Sequence, residues 1–184
     1  MTDAELPELA KWPIFPFEGD IRVKPVLPLG DRDPVRSGEP GGAACQACAQ
    51  SDDDQIWVDD NWRVHTAQPT GVPLLLFLEP RAHVDMDGLD ETLAAELGQM
   101  IVRVDRAMQK VEGVGRVYVN RWGDGAMHLH LWFYARPFGT RQMFGPHLPF
   151  WAGIVPPTPA DVWNRNAAVV AAELAKHGGR AILS

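Results

Sequence analysis

From residue 56 onward the apolar positions fall into regular periods. Ile56-Trp57-Val58 and Trp62-Arg63-Val64-His65-Thr66 flank the turn residues Asp59-Asp60-Asn61, a pattern that predicts a β-hairpin. The run from Leu74 to Leu78 predicts a third strand. Between Asp90 and Val111 the apolar residues stand at 93, 97, 100, 101, 104, 108 and 111, a spacing of three and four that makes one face of a helix. Val114 to Asn120 and Met127 to Arg136 predict two more strands, joined by Arg121-Trp122-Gly123-Asp124-Gly125. Thr158-Pro159-Ala160-Asp161 supplies an N-cap, a first-turn proline and an early acid, and Gly178-Gly179 a stop, so a second helix is predicted from Pro159 to Lys176.

The last strand carries the most chemistry. Its odd positions are apolar, so a period of two puts His128, His130, Trp132, Tyr134 and Arg136 on one face and leaves Leu129, Leu131 and Phe133 to the core. The two imidazoles are then about 7 Å apart along the strand. His65 alternates to the solvent side or edge of the hairpin, and His147 and His177 fall in a loop and near a helix C-terminus.

The first 44 residues have no such period. They hold seven prolines, with Trp12-Pro13-Ile14-Phe15-Pro16-Phe17 mixing prolines and large apolar side chains, which suggests an extended strap laid on the domain in preference to a free tail. Gly38-Glu39-Pro40-Gly41-Gly42 reads as a junction into Cys45. The organisation expected is a strap over 1–44, a domain over 45–137 and a C-terminal loop and helix over 138–184 packed on it.

Composition narrows the function classes. With 46% hydrophobic and 22% charged residues the chain is an ordinary globular one. A net charge of −7 without a lysine or arginine cluster argues against nucleic acid or an anionic membrane as partner. A small phosphorylated ligand stays open, since backbone N–H groups and a neutral histidine hold phosphate without a basic patch. No run approaches the length of a membrane span, and no basic region followed by an apolar stretch marks a secretory signal, so a cytoplasmic protein is expected.

Only two cysteines exist, in Cys45-Gln46-Ala47-Cys48. That spacing lets both thiolates reach one zinc ion but supplies half of a tetrahedral site. His83, after the third strand, and His128, opening the last, are candidates to complete it. Spacing alone leaves a redox dithiol as the alternative, although such a pair belongs between a strand and a helix, not after a glycine-rich junction.

The ordered set of Cys45-x-x-Cys48, hairpin, Leu74-Leu-Leu-Phe-Leu-Glu-Pro-Arg-Ala-His83, long helix, Asn120, Gly123-Asp124-Gly125 and His128-Leu-His130-Leu-Trp132, closing with Ala135-Arg136-Pro137, resembles the histidine-triad superfamily over residues 45–136. That superfamily includes nucleoside phosphoramidases and galactose-1-phosphate uridylyltransferases. The resemblance implies an α+β fold: a central antiparallel sheet of about five strands with a long helix on it, plus the C-terminal helix. It implies a structural zinc held by Cys45, Cys48, His83 and His128, and a homodimer. It implies His130 as the nucleophile of a hydrolase or transferase, attacking the phosphorus of a nucleotide or related small molecule through a nucleotidyl-histidine intermediate and oriented by a backbone carbonyl.

Three departures from the family pattern bear on substrate handling. The third histidine, or the glutamine that replaces it, is Trp132, which offers one N–H donor and cannot serve as an acid near neutral pH. Thr66 replaces the acid that holds the ribose hydroxyls. Asn120 precedes His128 by eight residues where the family has eleven, shortening the loop in which Gly123 and Gly125 face an anion. Arg136 is a further candidate phosphate contact, and Trp122 and Trp132 are candidates to stack on a base or sugar. The alternatives to an enzyme are a non-catalytic, zinc-stabilised binding module and, last, the dithiol redox protein.

Overall fold

The structure, a computed structural model, describes residues 5–25 and 27–183; residues 1–4 and 26 of the expected strap lie outside the described residues. The sheet has six strands, one more than the five expected: β1 (Trp57–Val58), β2 (Trp62–Thr66), β3 (Leu75–Pro80), β4 (Val114–Asn120), β5 (Leu131–Pro137) and β6 (Arg180–Ala181). They lie in the order β4-β5-β3-β2-β1-β6 with every neighbour antiparallel. The sixth strand forms because Gly178 and Gly179 turn the chain back onto β1, with the Trp57 indole donating to the Gly178 carbonyl at 3.1 Å. A Cβ at Gly179 would stand 2.5 Å from the Val58 carbonyl oxygen, so only glycine permits this approach.

Period sorts the two faces. Trp62 and Val64 of β2, Leu76 and Leu78 of β3, and Leu131, Phe133 and Ala135 of β5 are buried on one face. Against it pack α2 (Glu91–Met108), through Leu97, Met100, Val104 and Met108, and α4 (Ala160–Ala175), through Trp163, Ala167, Val170 and Leu174. Asp90 caps α2 by accepting from the Leu93 N–H at 2.8 Å, and the Trp62 indole donates to Glu96 on it at 3.0 Å. At α4 the expected N-cap does not form. Thr158 donates its hydroxyl to the Val72 carbonyl and its N–H to the Thr70 carbonyl, so the residue anchors the helix entry to the 70–72 loop instead.

The opposite face carries a lateral row set by register: His65 on β2 pairs with Phe77 on β3, Phe77 with Trp132 on β5, and Trp132 with Asn120 on β4. Here the predicted last strand needs correction at its start. The β5 ladder begins at Leu131, and residues 127–130 leave it. Pro80 ends β3 with no N–H to give. Met127 donates instead to the Ser37 carbonyl and Leu129 to the Val84 carbonyl, and Ser37 and Ala126 form a parallel bridge. The two histidines are therefore not side by side on one strand.

N-terminal to that bridge, Ile14 is buried, its carbonyl accepts from the Trp151 indole at 2.7 Å, and Trp12 and Phe15 meet the His147 ring edge-on. His147, placed in a loop by the sequence, is buried with neither ring nitrogen hydrogen-bonded. It precedes the short helix α3 (Leu148–Ile154). No described helix is long and apolar enough to cross a membrane.

Candidate metal centre and adjoining cavity

Cys45 opens the single-turn helix α1 (Gln46–Ala49), and Cys48 lies three residues on in the same turn, which brings both thiols to one side. Across from them stand His83 and His128. Cys45 Sγ lies 3.5 Å from His128 Nδ1, Cys48 Sγ lies 3.3 Å from His83 Nδ1 and 3.6 Å from His128 Nδ1, and all four ligand atoms fall within 4.8 Å of one another. Zinc bonds of about 2.3 Å to sulfur and 2.0–2.1 Å to nitrogen at a tetrahedral angle give sulfur–nitrogen edges of about 3.6 Å. The donor set and its spacing therefore fit structural zinc. The outer nitrogens agree: His128 Nε2 donates to the Pro80 carbonyl at 2.9 Å and His83 Nε2 to the Gly38 carbonyl at 3.1 Å, which leaves each Nδ1 free to ligate. Burial favours the neutral form of His128 and, with Cys45 beside it, raises the Cys48 thiol.

The approach to His83 is close. A Cβ at Gly38, whose φ is +89°, would stand 2.8 Å from His83 Cε1, so glycine here serves both the backbone and the ligand. Two residues earlier, Arg36 donates to Asp85 at 2.6 Å, to Glu39 and to the Gly123 carbonyl, while Arg121 donates to the other Asp85 oxygen at 2.6 Å. Burial alone would push the Asp85 carboxyl up, but the two guanidiniums and the Met86 N–H outweigh it and hold it at about 2. This network fastens residues 36–39 and the 121–125 loop to the segment that carries His83.

Beyond the cluster, a cavity of about 490 Å³ opens over the row of His65, Phe77 and Trp132, with His128, His130 and Glu79 in its wall. His130 donates Nδ1 to the His128 carbonyl at 2.8 Å. That fixes one tautomer and leaves Nε2 with a lone pair. His65 lines the same cavity, which corrects its placement toward solvent: its ring stacks on Phe77 at 4.8 Å and 18°, and its Nδ1 is enclosed without a hydrogen-bond partner. Burial, reinforced by Arg63 and His130, pushes the His65 imidazole down to about 4. Glu79 is buried beside it, with the two opposing causes unequal: burial raises its carboxyl and Arg63, at 3.1 Å, pulls it back. Alternation assigned His65 to one face of the hairpin, but the cavity above that face is made by Ser37, residues 45–47, Gln50, Trp122 and residues 124–126, all distant in sequence.

The sequence-predicted substrate residues divide. Trp132 and Gly125 line the cavity with His130. Asn120 pairs with Trp132 across β4 and β5 at the end of the row. Gly123 packs on the Arg121 guanidinium and gives its carbonyl to Arg36. Thr66 follows Val64 in alternation, onto the helix-bearing face, and pairs with Leu76. Arg136 lies toward the far end of β5 and donates to the Thr140 carbonyl at 3.1 Å. The cavity wall contains the carboxylates of Glu79 and Asp124 and no lysine or arginine.

No family model matches this sequence and no curated protein matches it. Among solved structures, the chain is similar to a histidine triad protein from Bradyrhizobium japonicum, with 21% identity and a TM-score of 0.55 over 65% of this chain and 89% of that one. A histidine triad protein from Sinorhizobium meliloti matches at 20% identity and a TM-score of 0.52, over 65% and 87% of the two chains. A Zn-bound histidine triad family protein from Mycobacterium smegmatis matches at 18% identity and 0.50, over 73% and 95%. The fold of this chain is the histidine-triad-like fold.

Proposed function

We propose that this chain is a zinc-stabilised hydrolase or transferase of a phosphate-containing small molecule, with His130 as nucleophile and a nucleotidyl-histidine intermediate. The observation that carries the reading is the hydrogen bond from His130 Nδ1 to the His128 carbonyl, which in the neutral ring keeps the proton on Nδ1 and leaves Nε2 for the cavity. Neutral imidazole attacks phosphorus from that nitrogen, the leaving group departs, and water or a second phosphate resolves the intermediate. Zinc in the Cys45, Cys48, His83 and His128 cluster is structural: it fixes His128, whose carbonyl in turn orients His130. The likeness to a Zn-bound histidine triad protein supports the metal assignment. Thr66 and Arg136, by their placement, take little part; Trp132, Gly125 and Asn120 remain the proposed contacts.

The test is a panel of a nucleoside phosphoramidate, a dinucleotide and a nucleotide sugar. His130→Ala is expected to stay folded and zinc-loaded and to lose turnover by about 10³-fold or more. Unchanged turnover removes His130 from the mechanism.

A second reading, a zinc-stabilised binding module without turnover, draws on Trp132 and on a cavity wall with two carboxylates and no cation. Saturable binding of a nucleotide with neither turnover nor labelling of His130 would select it. Four converging donors favour a metal over the dithiol redox reading. Homodimerisation belongs to the same proposal: β4 is a seven-residue sheet edge, with Val119 exposed, through which two chains would pair. Sedimentation at micromolar concentration tests it.

A further inference from the structure

Trp132 stands where a third histidine would, and a nucleophilic histidine alone leaves the second half of the reaction without a base. In an in-line displacement the entering oxygen arrives on the side of phosphorus away from the nitrogen that leaves. A base for that step must therefore stand across the cavity from His130. His65 is the side chain placed for it: it lines the cavity with His130, and the Phe77 ring centroid lies 4.8 Å from that of His65 and 6.4 Å from that of His130. Behind His65, its unpartnered Nδ1 lies 3.9 Å from Glu79 Oε2, and Glu79 is fixed by the Arg63 guanidinium at 3.1 Å. At that distance the carboxylate acts through its charge, stabilising the imidazolium once it forms.

We infer that His65 is the base that takes a proton from water when the His130 intermediate is hydrolysed, with Glu79 as its positioning residue; the inference rests on the reading of His130 as nucleophile. The oxygen–phosphorus bond forms as the bond from phosphorus to His130 Nε2 breaks, returning that electron pair to His130. The water proton goes to His65 Nε2, then to solvent. Charged groups around His65 are compatible with a neutral resting base: Arg63 and His130 disfavour its protonated form, Asp54 opposes them weakly, and Glu79 is the carboxylate in contact range.

The experiment uses the p-nitrophenyl ester of a nucleoside 5′-phosphate, whose leaving group departs without a proton. Release of p-nitrophenolate in the first turnover reports attack by His130, and intact-mass decay of the labelled chain reports hydrolysis. His65→Asn is expected to label normally, about one group per chain, and to lose the label 10²- to 10⁴-fold more slowly, about the contribution of a general base. Added imidazole should restore part of the decay rate. Normal first-turnover labelling also demonstrates that the variant is folded. Glu79→Gln is expected to slow decay less and to alter its pH profile, while Glu79→Asp recovers most of the rate. In the wild type at saturating zinc, decay should fall as pH drops through an ionisation near 4. Unchanged decay in His65→Asn, or equal losses in labelling and decay, overturns the assignment of His65 alone. Absence of labelling in the wild type, or labelling retained in His130→Ala, overturns the parent reading and this inference with it.

Discussion

His128 and His130 lie two residues apart, yet the regions they serve differ in how their polar groups are satisfied. Around His128 every ring nitrogen has a partner: Nδ1 faces the two thiols, Nε2 the Pro80 carbonyl, and His83 repeats the arrangement with Gly38. Around His130 the row of side chains contains enclosed groups with no partner, His65 Nδ1 and Trp132 Nε1. An unpaired polar atom in a closed environment costs about 1–3 kcal/mol, and a fold tolerates it where something else is gained. The completed cluster has the character of a structural site, and the incomplete cavity that of one shaped for a ligand. Arg63 joins them: its Nε donates to Glu79 in the cavity, and its Nη2 donates to the Ala47 carbonyl between the two cysteines at 2.5 Å.

The largest way to break the contrast is to remove the metal. Binding to a structural zinc site contributes about 10–16 kcal/mol, which is folding free energy when the site is absent from the unfolded chain. Cys48→Ser, or a strong chelator, is therefore expected to lower the melting temperature by more than about 10 °C and to abolish His130 labelling. Elemental mass spectrometry should find about one zinc per wild-type chain and none in the variant. A metal-free wild type of unchanged stability would refute the assignment. Next in size is Arg63→Met. It strands the Glu79 carboxylate, and breaking a buried pair by removing one partner costs about 3–5 kcal/mol. Because Arg63 also braces the thiolate turn, zinc should dissociate faster from this variant than from wild type under chelator challenge. Stability loss with unchanged zinc dissociation would show that the two regions are independent.

The metal centre was far more legible in the sequence than the cavity, for a physical reason. Two cysteines three residues apart are brought together by one helical turn, and His83 follows β3 while His128 precedes β5, strands whose apolar runs are plain; the resemblance then joined the two histidines to the thiol pair. The cavity depends on long-range placement. Alternation assigned His65 to a face of the hairpin but could not tell solvent from a wall built by Ser37, residues 45–47, Gln50, Trp122 and residues 124–126. The same limit produced the overlong last strand: the period of two continues through His128 and His130, whereas the hydrogen bonds there go to Ser37 and Val84. Thr158 has the chemistry of an N-cap, but the 70–72 loop competes for its hydroxyl. Local spacing is read from a sequence; which distant segment satisfies a polar group is not.

Gly38→Ala sharpens the comparison at a single methyl. The added Cβ meets His83 Cε1 at 2.8 Å and sits at φ +89°, a backbone strain of about 1–3 kcal/mol for a residue other than glycine. Expected are a modest fall in stability and weaker zinc retention, while the pairing of His65 with Glu79, remote from this contact, leaves the cavity's own chemistry unaltered once zinc is saturating. Loss of label decay at saturating zinc would mean that the metal side governs the cavity more tightly than Arg63 alone explains.

The last effect lies in acid. His65 is held at about 4 in the fold against an ordinary value of 6.5, so the unfolded chain binds the extra proton first. Stability from this group is complete above about pH 6.5 and is lost as pH falls toward 4. Asp85, held at about 2 against 3.8, adds a loss only as pH falls below about 4. Protonation of the zinc ligands would mask both, so the measurement compares wild type with His65→Phe at saturating zinc. Subtracting the two urea-unfolding series cancels Asp85 and the metal. The stability difference between the proteins should then change between pH 6.5 and 4, in favour of the phenylalanine variant as pH falls, and stay level above 6.5. A difference independent of pH would place His65 in contact with water, not enclosed against Phe77, and would bring the cavity wall closer in character to an ordinary exposed sheet face.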